Sequence, residues 1–114
     1  MREVAHRSTL VLRDADQALL SLSYGQQTGM AIVSLDGRLL RIGEVTELDL
    51  GGVAELRGGR LNILSVVTDN SIQTNRLAVR YEFFTSAERI AFDQEAMVDS
   101  EGESLRFTAE ITFA

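Results

Sequence analysis

Apolar and polar residues alternate with a period of two along most of the chain. In 76–84, Leu77, Val79, Tyr81 and Phe83 fall on one face, with Arg76, Ala78, Arg80 and Glu82 on the other. In 104–113, Leu105, Phe107, Ala109, Ile111 and Phe113 alternate with Arg106, Thr108, Glu110 and Thr112. Successive side chains of a β-strand point to opposite sides, so each stretch predicts a strand with one buried and one wet face. Less regular versions cover 3–13, 17–24, 28–35, 38–43 and 45–50. Asp36-Gly37 in "LDGR" is a hairpin turn of the primed type. Glycines at 24–29, 51–52, 57–60 and 99–103 mark further turns. Strands at roughly 8–12-residue spacing, with no long helical period, predict a single all-β domain over 1–114. The expected architecture is an antiparallel β-sandwich of about eight strands, and a small closed barrel would use the same alternation.

Two stretches depart from the simple pattern. In 60–68, Leu61, Ile63 and Val67 face one way while Leu64 and Val66 face the other. A strand apolar on both sides is central to its sheet or covered by something else. Left bare, "ILSVVT" combines high β-propensity with no charge, and Arg60 and Asp69 bracket it as gatekeepers. The stretch 85–98 reads two ways. Thr85 and Glu88 have capping-box spacing, and Ala87, Ile90, Ala91, Gln94, Met97 and Val98 recur at helical intervals, which predicts a short helix over 86–98. As a strand it places Ile90, Phe92, Ala96 and Val98 on one face. A helix would leave Phe92 off the buried side, which favours the strand.

Composition narrows the chemistry. The 114 residues are 45% hydrophobic and 25% charged, the balance of a globular domain. No stretch approaches the roughly 20 apolar residues of a membrane span. The N-terminus lacks the apolar run of a signal peptide, so a soluble cytoplasmic protein is expected. The absence of cysteine excludes thiol nucleophiles and thiolate zinc sites. All eleven basic side chains are arginine, which excludes Walker A loops and Schiff-base chemistry and points to a bacterial or phage source. One histidine, His6, excludes sites that need two; on a strand it reads as a half-buried structural residue. The net charge of −6 is concentrated late, with six arginines against thirteen acids in 44–114. Such a field repels phosphate backbones and favours basic partners or cations, so no nucleic acid is expected as ligand.

The polar run 68–75 offers oxygen donors in Asp69, Asn70 and Asn75, an arrangement that calcium or a sugar would use. Its other reading is a bend, with Asp and Asn bonding to their own backbone and Ile72 tucked beneath or contacting a partner. In "TELDLGG", Glu47 and Asp49 share one face of a strand, as paired carboxylates do in sugar hydrolysis. This resembles part of the Glu-x-Asp-x-Glu motif of laminarinase-type β-sandwich glycosidases. The second catalytic Glu is replaced by glycine at 51 and 52, and the chain is smaller than that family's sandwich, so the resemblance is set aside. Arginine is favoured at interface hot spots, and Arg76 and Arg80 share the outer side of one strand beside Phe84. Cross-strand ion pairing is the competing role for both.

No catalytic constellation survives these filters. The expected function is therefore a non-enzymatic protein–protein interaction or self-assembly module, a small acidic accessory of a bacterial or phage assembly. Its partner would be a second copy or a protein with a basic surface. The interface candidates are Leu64, Val66, Ile72, Arg76, Arg80 and Phe84. The alternatives are a calcium- or sugar-binding sandwich using 68–75, with Asp69, Asn70 and Asn75 as ligands, and a carboxylate hydrolase using Glu47 and Asp49. No other cofactor is expected.

Overall fold

In the computed structural model, which describes residues 1–70 and 74–114, the period-two segments form strands that pack as two sheets. The strands are β1 (Glu3–Leu10), β2 (Ala18–Ser23), β3 (Thr28–Leu35), β4 (Arg38–Gly43), β5 (Leu48–Gly51), β6 (Arg60–Thr68), β7 (Arg76–Phe84), β8 (Arg89–Met97) and β9 (Ser104–Phe113). A single helical turn, α1 (Val53–Leu56), lies between β5 and β6. One sheet has the order β1-β9-β6-β3-β4 and the other β5-β2-β7-β8. The fold is an all-β sandwich. The barrel alternative is ruled out, because the strands divide into two separate open sheets.

The alternation explains the core directly. Leu61, Ile63 and Val67 of β6, Val33 and Leu35 of β3, and Phe107, Ile111 and Phe113 of β9 point inward from the five-stranded sheet. Leu20 of β2 and Leu77, Val79, Tyr81 and Phe83 of β7 meet them from the four-stranded sheet. Phe83 and Phe113 touch edge to face across the sandwich, with ring centroids 6.2 Å apart, a preferred aromatic geometry. Val53 and Leu56 of α1 are buried and close one end.

Three expectations meet a definite outcome. The first is the choice over 85–98, where the favoured strand forms as β8 and the alternative helix over 86–98 does not. The Thr85 hydroxyl does accept from the Glu88 backbone N–H at 3.1 Å, as a cap would. The Thr85 N–H, however, donates to the Glu88 carbonyl at 2.9 Å, which closes the β7–β8 hairpin. One hydroxyl-to-backbone device serves a turn as well as a helix start. Phe92 then lies half-buried against the core, stacked on Tyr81 and His6 with centroids 4.8 Å away in both cases. The second concerns strand direction, since β1 runs parallel to β9 while all other pairings are antiparallel. Side-chain alternation is the same in both kinds of ladder, so it carries no direction. The third is the strand over 45–50, which begins only at Leu48. Glu47 before it has φ 49°, a left-handed conformation that breaks the extended run. The "LDGR" turn is as expected, with positive φ at Asp36 and Gly37, and the Asp36 carboxylate accepts from the Arg60 N–H at 2.8 Å.

A polar thread ties the two sheets near β1 and β8. Gln94 is buried; its amide donates to the carbonyls of Val4 at 3.2 Å and Thr108 at 3.1 Å, and its oxygen accepts from the Tyr81 hydroxyl. Gln94→Leu is expected to keep the volume and lose all three bonds, destabilising the fold by about 1–3 kcal/mol. Urea denaturation checks this, with a lowered midpoint at unchanged slope.

Burial also pushes both tyrosine phenols above the ordinary 10.0. For Tyr24, the neighbouring Ser65 partly offsets the effect and the Glu44 charge adds to it; for Tyr81, the nearby Tyr24 adds to it. The unfolded chain therefore releases these protons first as pH rises. The stability involved is complete below pH 10 and is lost as pH climbs through the folded-state values. Phenolate absorbance is expected to rise late and together with loss of the strand circular-dichroism signal. A reversible titration centred at 10 in folded protein would contradict this placement.

Candidate interaction surface

Two outer faces remain after the sandwich closes, and they differ in kind. On the four-stranded sheet, the outward positions of β7 and β8 hold charges of opposite sign at Arg76, Arg80, Glu82, Arg89, Asp93 and Glu95, with Ala78, Phe84, Ala91 and Met97 at the remaining places. Arg76 pairs with Glu95 at 2.9 Å and Arg80 with Asp93 at 3.3 Å, and Arg89 reaches Glu82. The Arg89 guanidinium also lies over the Phe84 ring, 4.8 Å from its centroid. Of the two roles weighed for Arg76 and Arg80, the structure displays cross-strand ion pairing.

The outer face of the five-stranded sheet is centred on three consecutive rows, fixed by the ladder register, with Thr28, Thr68 and Ser104 beyond the first and Arg60, Thr112 and Thr9 beyond the third. Met30, Val66, Arg106 and Glu3 form the first row. Ile42, Ile32, Leu64, Thr108 and Ala5 form the second, and Leu39, Ser34, Asn62, Glu110 and Arg7 the third. Met30, Ile32, Leu39 and Ile42 are 49%, 39%, 55% and 57% exposed. Leu64 and Val66 are half-buried among them. Six apolar side chains are thus contiguous across β4, β3 and β6, and toward β9 and β1 the rows turn polar. A shallow depression of about 520 Å³ crosses this face, its lining including Ala5, Arg7, Ile32, Asn62, Leu64 and Thr108. Apolar patches with a polar rim mark interaction sites in soluble domains.

The charged members of this face have a pattern of their own. Along β9, Arg106 and Glu110 flank the middle row; along β1, Glu3 and Arg7 flank it in the opposite order. Glu110 is held between Arg7 at 3.6 Å and Arg60 at 3.5 Å.

The interface candidates therefore divide. Leu64 and Val66 lie on the apolar face, and Arg76, Arg80 and Phe84 on the opposite side of the sandwich. Ile72 lies outside the described residues. Sequence reasoning did not single out Met30, Ile32, Leu39 and Ile42, although a signal was present. In 28–35 both phases are apolar, with Met30 and Ile32 on one and Ala31, Val33 and Leu35 on the other, the same two-faced signature that singled out β6.

The alternative sites come out as follows. Asp69 is buried at the end of β6, its backbone N–H bonded to the Glu103 carbonyl at 2.9 Å and its carbonyl to the Gly102 N–H at 3.0 Å. The Asn70 side chain donates to Thr28, and the Asn75 carbonyl accepts from Val98 at 2.8 Å. These bonds tie the described part of the 68–75 run to neighbouring turns and to β3, as a structural bend requires. Among the described residues, no three acidic or histidine side chains gather as a metal site would need. Glu47 and Asp49 are exposed. Asp49 caps its own turn by accepting from the Gly51 N–H at 2.8 Å and from Gln17 at 3.1 Å. Among the described residues, no helix is long and apolar enough to cross a membrane. Comparison with protein-family models, curated proteins and solved structures returns no match.

Proposed function

We propose that this chain is a non-enzymatic protein-interaction module whose contact surface is the outer face of the five-stranded sheet. The observation that carries the reading is the contiguity of Met30, Ile32, Leu39, Ile42, Leu64 and Val66 on one side of one sheet. Burying such side chains is favourable by roughly 25 cal/mol for each Å² of apolar surface removed from water. The face is rigid as well, because β6 and β9 at its centre are hydrogen-bonded on both edges. A preformed surface loses little conformational freedom on docking. The surrounding Arg7, Arg106, Glu3 and Glu110 supply the polar rim that fixes orientation. Calcium binding at 68–75 and hydrolysis at Glu47 and Asp49 have no comparable support: among the described residues no three acidic or histidine side chains gather, and Asp49 is already bonded to Gly51 and Gln17.

The test is photo-crosslinking in cells that produce the full chain, with a photoreactive residue at position 64 and, as control, at position 80. Protein adducts are expected from position 64 and not from position 80. No adduct at 64, or equal adducts at both, would overturn the reading.

A further inference from the structure

The charge pattern of this same face identifies what can cover it, and the inference rests on the interaction reading above. We infer that the occupant is a second copy of the chain, packed face to face about a two-fold axis along the row Ile42–Ile32–Leu64–Thr108–Ala5.

Net charge sets the first condition. Two molecules each carrying −6 repel at long range. The outward positions of β1, β3, β6 and β9 run against that balance, holding Arg7, Arg60 and Arg106 against Glu3 and Glu110. On this face two acidic copies can approach without bringing acid onto acid.

Geometry then selects the arrangement. Sheets that pack face to face keep their strands within about 30° of alignment. Of the two in-plane axes, the one along the strands would lay the apolar half of one copy over the polar half of the other. The axis across the strands keeps β4, β3 and β6 over their own counterparts, so apolar meets apolar. It also exchanges the first and third rows. Arg106 then lies over Glu110 of the second copy, and Glu3 over Arg7 of the second copy, each contact occurring twice. In an isologous interface every residue must suit both its partner and the reverse contact. The opposite signs of Arg106 and Glu110 on β9, and of Glu3 and Arg7 on β1, meet that requirement. Five strands about 4.8 Å apart and eight residues at about 3.3 Å give a face of roughly 600 Å² in projection. The relief of its side chains raises the accessible area toward the roughly 800 Å² per partner of a specific complex.

The test exploits this self-complementarity by charge reversal, read by native mass spectrometry and gel filtration. Arg106→Glu alone sets acid against acid twice per dimer, and Glu110→Arg alone sets base against base. Each is expected to self-associate about tenfold or more weakly than the unaltered chain. Mixed one to one, the two variants are expected to form a heterodimer. In that pairing the acids at positions 106 and 110 of one copy face bases at positions 110 and 106 of the other, so both contacts are attractive. Should either variant fail to fold, Glu3→Arg and Arg7→Glu on β1 make the same test. Variants that dimerise as well alone as the unaltered chain, or a mixture that gives no heterodimer, would overturn the pairing. So would an unaltered chain that stays monomeric while position 64 still cross-links to a different protein, an outcome that leaves the interaction face standing. Absence of any adduct at 64 would overturn both.

Discussion

β6 is third of five in its sheet, with backbone hydrogen bonds to β3 along one edge and to β9 along the other. Its main chain is therefore fully committed, and only its side chains can take part in anything further. Those side chains are apolar on both faces. Leu61, Ile63 and Val67 are buried against the four-stranded sheet, while Leu64 and Val66 face outward. A central strand is the natural place for such a sequence, because neighbours on both edges shield its hydrogen-bonding groups from other chains. Edge pairing is closed to β6, and its outer face stays open.

The two outer faces show how the chain uses its charges. On the four-stranded sheet, arginines and acids alternate across β7 and β8 so that each pairs with a neighbour in the same molecule. Exposed pairs of this kind contribute little stability, typically under about 1 kcal/mol each. What they do accomplish is to cover the middle of that face with charge, leaving Leu19 beside Phe84 at one end and Met97 exposed at the other. On the five-stranded sheet β9, β1 and one end of β6 present charges, apolar side chains fill the half formed by β6, β3 and β4, and Arg38 and Arg41 lie exposed on the β4 edge strand. One side of the sandwich is thus dominated by paired charges and the other carries the contiguous apolar residues.

Much of the fold was legible in the sequence, because alternation is a direct record of which face is buried. β7, β9 and the Asp36-Gly37 hairpin could be read without ambiguity, since clean alternation and a primed turn each admit one structure. Strand direction was hidden, and so was the parallel union of β1 with β9, because both ladders use the same period. Val53–Leu56 was missed because a single turn is too short for a helical period to register. The capping signal at Thr85 and Glu88 was real chemistry in a different setting, a hairpin turn instead of a helix start. Two of the six apolar residues of the candidate surface were legible too. Leu64 and Val66 stood out through their two-faced strand, but their neighbours Met30, Ile32, Leu39 and Ile42 become a patch only once the register of β3 and β4 is known. Arg76 and Arg80 had the right chemistry for an interface, and only the position of β8 shows how acids occupy them.

The central proposal is that a second copy docks on the apolar outer face of the five-stranded sheet. The most direct measurement is molar mass in solution by light scattering across a dilution series, for the unaltered chain and for Leu64→Asp. The account expects about twice the chain mass of 12.6 kDa at high concentration, falling toward 12.6 kDa on dilution. It expects the variant to remain folded and at 12.6 kDa throughout. A folded variant with the same concentration-dependent mass as the unaltered chain would contradict it.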